Sequence, residues 1–248
     1  MLDTRQLYAL VVILVLSVSV GFTEELEQKG GVQPFVKWLL EDEERLEDVP
    51  FAEVVEAVSG KKMLPLRLNH PTDAEMAKAI RQGTQAMLEA FESAEHPIHR
   101  VGRINEVSGH VEDYLLTQLN SVDGLVCTIP TNAAGEVQHS GYPDLRLLHE
   151  ESGRVFYIDP KVYKSGSETS SFRTFYFEPK GDTNKILDDA THLILAISHG
   201  GKADGRWQFE GWKLVDLIEF RVRLKAEFQA SNRDLYREEA VKLGSELP

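Results

Sequence analysis

One cysteine, Cys127, stands in 248 residues. That excludes an intrachain disulfide and the clustered cysteines of the usual zinc sites. A GxxxxGK phosphate loop and a GxGxxG turn are both missing, so nucleotide chemistry has no foothold and no nucleotide cofactor is expected. Basic charge is scarce, with 27 Lys and Arg against 40 Asp and Glu and a formal net charge of -13. Phosphate neutralisation needs Lys and Arg, so coating of nucleic acid by charge alone is disfavoured. A local basic groove is not, because the deficit is uneven. Between Glu24 and Glu56 there are eleven acidic residues against three basic. Internal repeats and low-complexity blocks are absent as well.

What is there begins with an uncharged run, "LYALVVILVLSVSVGF" (Leu7–Phe22), sixteen residues long. A bilayer span needs about 20 residues, so the run suits the core of an export signal, with Ser19 and Gly21 as small residues near a cleavage point. The expectation is a signal peptide over 1–22 and a periplasmic or secreted protein. An uncleaved anchor would place it at a membrane, and a segment that is no signal would leave it cytoplasmic.

Residues 23–70 read as an acidic helical segment, with short amphipathic helices broken near Pro50 and ended by Gly60. "PTDAEMAKAIRQGTQAMLEAFESA" is a stronger helix, capped by Thr72 or Asp73, with Met76, Ile80, Met87, Leu88 and Phe91 as its apolar stripe. "RINEVSGHVEDYLLTQLN" is another, with Ile104, Val107, Val111, Leu115 and Leu119 on one side, and Gly109 inside it costs about 1 kcal/mol against alanine. The period then changes. "GLVCTIPT", "DLRLL", "RVFYIDPKVY", "THLILAISHG" and "WQFEGWKLVDL" read as strands, and "IEFRVRLKAEFQASNRDLYREEA" as a terminal helix region. Helices, then strands, then a helix give an α/β or α+β sandwich around a mixed sheet, with a catalytic-type domain over 71–248.

Strand alternation places Val155, Tyr157, Asp159 and Lys161 on one face of "RVFYIDPKVY" and Phe156, Ile158 and Val162 on the other, apolar face, which reads as the buried one. Antiparallel pairing through "HEESG" returns Asp144 toward Asp159 and Lys161. Two carboxylates and an ammonium beside a sheet suit phosphodiester hydrolysis. Carboxylate oxygens bind Mg²⁺, and a lysine orients water or steadies charge on the phosphate. The plain alternative is a surface hairpin with an Asp–Lys pair of little energetic weight.

Pro143-Asp144 followed by Asp159-Pro160-Lys161 resembles the PD-(D/E)xK signature of restriction-endonuclease-like nucleases. "GEVQHSGYPDLRL" is similar to the lead-in of some such families, and "NEVSGHVEDYL" matches their glutamate-bearing helix. The likeness covers residues 103–164 by motif, and the order helix, strand, hairpin, helix, strand to about 217. It implies a three-layer α/β/α fold with a central mixed sheet, Mg²⁺ dependence, DNA as substrate and a possible homodimer. It also implies Asp144 and Asp159 as metal ligands, Lys161 as catalytic lysine, and Glu106 or Glu112 as a further catalytic ligand. Those two glutamates are about 240° apart on a helix, so both cannot face one site. Pro160 departs from a smooth central strand, since it removes a ladder hydrogen bond: either the strand bulges there or the middle of the motif is imperfect.

The loop "KSGSETSSFRTFYF" offers Lys164, Ser165, Ser167 and Arg173 as DNA-backbone contacts, or it is a solvated Ser/Gly loop. Its aromatic residues read as core. His192 and His199, at the ends of "HLILAISH", read as structural hydrogen-bonding residues. The function expected is a metal-dependent DNA endonuclease of the type II restriction kind. Alternatives are an exported non-catalytic binding domain of the same fold and a secreted non-specific nuclease.

Overall fold

In a computed structural model of the chain, residues 32–41, 46–171, 175–225, 227–239 and 243 are described. The apolar run Leu7–Phe22 lies outside them, as does Arg173. No helix among the described residues is long and apolar enough to cross a membrane. Two compact units are present. One comprises residues up to Val49 and from Val222 onward; its described residues hold helix α1 (Gln33–Glu41) and, near the C-terminus, helix α5 (Asn232–Leu235). Among its described residues, the terminal helix region expected from residue 218 holds one turn of helix. It opens at Ser231, whose hydroxyl and backbone form a capping box with Asp234.

The second unit, Pro50–Arg221, carries the sheet. Its elements are α2 (Phe51–Ser59), α3 (Pro71–Phe91), α4 (Val107–Asn120), β1 (Leu125–Thr128), β2 (Leu145–His149), β3 (Arg154–Lys164), β4 (Ala190–Ala203) and β5 (Arg206–Asp216). The five strands lie in the order β1-β2-β3-β4-β5, with β3 and β4 parallel and the other pairs antiparallel. The fold is therefore the three-layer α/β/α type around a mixed sheet.

One face of the sheet is closed by α3 and α4. Met76, Ile80, Met87 and Phe91 from α3 meet Val107, Val111, Leu115 and Leu119 from α4 over Leu145, Leu147, Phe156, Ile158, Leu193, Leu195 and Ile197. These positions follow the 3.6 and 2.0 periods of helix and strand, which is why they were legible beforehand. The opposite face is not simply solvent. Val155 and Tyr157 are as buried as their helix-facing neighbours. They lie there with His192, and an aromatic cluster of Phe51, Tyr142, Phe175, Phe177 and Phe220 covers this end of the sheet. Phe51 supplies it from the first residue of α2. Burial on both faces is what a strand flanked by a parallel neighbour requires, and it corrects the expectation of a single buried face.

Three further expectations change. Helix α3 starts at Pro71 with His70 at its cap position and no side-chain cap. Asp73, fully buried, instead accepts hydrogen bonds from the backbone N–H of Arg67 at 2.8 Å and from Arg154. The crossover from β3 to β4, residues 165–189, contains no helix among its described residues. Its composition, from "SGSETSS" to "PKGDTN", offers turn formers rather than a helical stripe. Pro160 also sits without a bulge, because the β3–β4 register runs unbroken from Val155↔Ala190 to Lys164↔His199. Pairing with β2 stops at Leu145↔Ile158. By Pro160 the strand is open on its β2 side, which is where a proline is tolerated.

The outer edge of β1 is closed by a side chain. Asn120 donates to the Cys127 carbonyl at 2.7 Å and accepts from its N–H at 2.9 Å, standing in for a neighbouring strand. Gly109 in α4 has no protein atom within 4 Å of where a Cβ would lie, so the helix packing does not require it.

Arg154 joins the helical layer to the sheet, contacting Asp73, the Pro65 carbonyl and the Thr191 hydroxyl. Replacing it leaves the Asp73 carboxylate buried without its guanidinium, so Arg154→Ala is expected to destabilise by about 3–5 kcal/mol in urea unfolding.

Candidate active site

The β2–β3 register decides where the charged residues go. Leu145 pairs with Ile158, and both face the helices. The preceding Asp144 therefore lies beside Asp159 on the other face, with Lys161 one alternation further on. Lys161 Nζ is 2.5 Å from Asp159 Oδ2 and 3.8 Å from Asp144 Oδ2. The side chain of Asp159 is 2% exposed and that of Lys161 36%, so the cluster grades from the sheet interior to solvent. Asp159 Oδ2 is a buried oxygen without a hydrogen bond. The ammonium reaches it as a charge, off the direction that a hydrogen bond needs.

The Asp144 carboxyl is pushed up to about 8. Burial is the main cause, the Asp159 charge the next, and Lys161 opposes both.

Of the two helix glutamates, the fold brings one to the cluster. Glu112, half-buried in α4 next to the core residue Val111, is raised by burial, with Lys161 lowering it and Asp159 raising it. Glu106 lies in an exposed 3-10 turn, Ile104–Glu106, just ahead of the helix. The proposed DNA contacts are placed less openly than expected. The Ser165 hydroxyl donates to the Glu210 carboxylate, and the Ser167 hydroxyl donates to the Lys164 carbonyl at 2.6 Å. Lys164 is exposed at the end of β3.

Two residues not singled out in the sequence belong to this neighbourhood. Lys185, 1% exposed in the crossover, donates to the Gln138 carbonyl at 3.2 Å. Burial lowers its pKa, while Asp144, Asp159 and Glu112 push it back up. Tyr142, buried ahead of Asp144, hydrogen-bonds His192 Nδ1 at 2.8 Å and feels the charges of Asp159 and Asp144. The ring of His192 is driven down to about 3 by burial, so it stays neutral, in keeping with a structural role. A lone lysine in "DTNKILDD" carries no periodic or motif signal, which is why the sequence did not reveal it.

Among the described residues no group of three or more His, Cys, Asp and Glu side chains could hold a metal ion. Mg²⁺ asks for less, since one or two carboxylates suffice when waters and substrate phosphate complete the shell. Asp144 and Asp159 meet that requirement. They are adjacent hard oxygen donors, one with an orphaned buried oxygen and one kept protonated mainly by its burial.

The raised Asp144 carboxyl has a consequence for stability. The unfolded chain releases this proton near 3.8, the folded chain only near 8. Folding therefore takes up a proton between those values, and the stability tied to protonated Asp144 is lost as pH rises through that window. In EDTA, Asp144→Asn is expected to gain stability relative to the parent across pH 4 to 8, as read by urea unfolding at several pH values. His192 has the opposite dependence below 6.5 and is common to both proteins.

Residues 45–239 match the model of the type II restriction enzyme MjaV family. The chain is also 32% identical over 206 residues to the type II restriction enzyme MjaV of Methanocaldococcus jannaschii, a match covering 79% of this chain and 88% of that protein. Both findings agree with the restriction-endonuclease-like resemblance of the hairpin and with the three-layer fold. The chain belongs to the type II restriction enzyme MjaV family.

Proposed function

We propose that this protein is a DNA endonuclease that hydrolyses phosphodiester bonds with Mg²⁺ at the Asp144–Asp159–Lys161 cluster. The observation that carries the reading is the placement of two adjacent carboxyl groups and a lysine at the end of one ladder, on the sheet face opposite the helical core. Asp144 and Asp159 would hold the cation, with Glu112 as the helix residue closest in electrostatic terms. The cation, when bound, neutralises charge on the phosphodiester and lowers the pKa of water.

The chain's own groups do the rest. Asp144, whose proton is retained mainly by burial and next by the Asp159 charge, would serve as a donor in its carboxylate form. Lys161, partly exposed, presents an ammonium where negative charge accumulates on the phosphate in the transition state, and it orients the attacking water. Asp159, anchored in a paired strand, fixes the position of both partners. The helical core behind Ile158 and Leu145 keeps that geometry rigid.

Asp144→Ala, Asp159→Ala and Lys161→Ala are each expected to slow Mg²⁺-dependent cleavage of supercoiled plasmid by about 10²–10⁴-fold. Glu112→Gln should slow it more than Glu106→Gln. Discrete bands in the parent digest mark a sequence-selective enzyme, and a smear a general nuclease. Unchanged cleavage by the two aspartate variants would remove the site assignment.

A further inference from the structure

The parallel ladder of β3 with β4 ends at Lys164↔His199, but β4 continues to Ala203 and returns as β5. Beyond His199 the two strands stand alone as a ribbon, paired Gly201↔Gln208, Lys202↔Trp207 and Ala203↔Arg206. Its tip is the two-residue turn Asp204-Gly205, with φ of 50° and 76°, the positive values that a tight hairpin needs. Register shifts around His199 and Gly201 mark a bulge at its base, where the strand direction bends. Because β3 and β4 are parallel, the ribbon leaves the sheet at the C-terminal end of β3, the end that Lys161 and Lys164 approach.

The two sides of the ribbon differ. Trp207 and Phe209 pack toward the helical core. Trp207 donates its ring N–H to the Val101 carbonyl at 3.2 Å, and Lys202 donates to the His99 carbonyl at 3.1 Å. These contacts hold the ribbon in place. Alternation then turns Arg206 and Gln208 to the other side, the face that carries the catalytic cluster. Both are exposed. The guanidinium of Arg206 has no ion-pair partner among the described residues, and Gln208 bonds only the carbonyl of Arg206. Further along the same face Lys213 lies across Ala196 from Lys161 in the register.

We propose that this ribbon enters the major groove of duplex DNA and that Arg206 and Gln208 read base edges there. The inference deepens the endonuclease reading and rests on it. A two-stranded ribbon fits the width of the major groove. Arginine and glutamine are the side chains whose paired groups match guanine and adenine edges. Their positions also suit the task. At about 3.3 Å per residue, Gly201 and Ala203 lie about 16 and 23 Å along β4 from Ala196, the partner of Lys161. That is about five to seven base pairs of duplex at 3.4 Å each, close enough for one bound site to meet both the ribbon and the catalytic cluster. Lys213, level with Lys161 in the register and on the far side of β4, faces the backbone beside the cluster, and its 3.8 Å pair with Glu168 is exposed and easily exchanged for a phosphate.

The test is cleavage of a duplex library with randomised positions in Mg²⁺, sequenced at the cut ends, for the parent, Arg206→Ala, Gln208→Ala and Arg206→Lys. The expected result is a 10- to 100-fold loss at the parent's preferred site, by about 1–3 kcal/mol of lost discrimination per base contact. Preference should relax at a different position for each residue, with an unchanged circular dichroism melt. Arg206→Lys should relax the same position as Arg206→Ala, because an ammonium cannot make the paired contact. Site preferences identical to the parent's in all variants would overturn the inference, as would full rescue by lysine, which would reduce Arg206 to a charge. A parent that cuts no duplex in Mg²⁺ would overturn the endonuclease reading itself.

Discussion

Two carboxyl groups held side by side with little water between them repel each other, and a folded protein keeps them so only if something else fixes their backbones. Here that is the pairing of Leu145 with Ile158 and of Asp159 with Ile194. The first sets Asp144 next to Asp159. The second ties Asp159 to the interior of the sheet through an unbroken parallel ladder. The charge of Asp159 adds to burial in retaining the Asp144 proton, and the ammonium of Lys161 lies against Asp159. The site is thus strained electrostatically while the ladder that carries Asp159 is unbroken.

The same ladder explains how the site meets solvent. β3 begins as a strand buried on both faces and paired on both edges. By Pro160 it has lost its partner on the β2 side, and by Lys164 it is exposed. Charge appears along it in step with that loss of cover. A proline that reads as a flaw in a central strand marks the point at which the strand stops being central.

Much of this was legible from residue order. The alternation in "RVFYIDPKVY" placed Asp159 and Lys161 together, and the polar turn "HEESG" returned Asp144 to them. The helical stripes of α3 and α4 were read correctly because burial on one face leaves a 3.6-residue period. The failures share a different cause. Burial of Val155 and Tyr157 depends on an aromatic cluster assembled from Phe51, Tyr142 and the crossover, residues far apart in sequence. Lys185 and the Tyr142–His192 bond are equally non-local. Asp73 looked like a helix cap because caps are local, but a distant arginine competes for it. Among its described residues the crossover has no helix, because its turn formers prevail over the usual habit of parallel connections.

The amide of Asn120, bonded to both backbone groups of Cys127, also bears on how copies of the protein meet. An uncovered strand edge is a template on which a second sheet can grow. On the β1 side that template is already occupied by the protein's own side chain. On the β5 side the bulge and the outward Lys213 bend and charge the edge. The sheet is therefore closed to fibre-like stacking at both borders. A nuclease crowded along one polyanion can then stay a population of separate molecules.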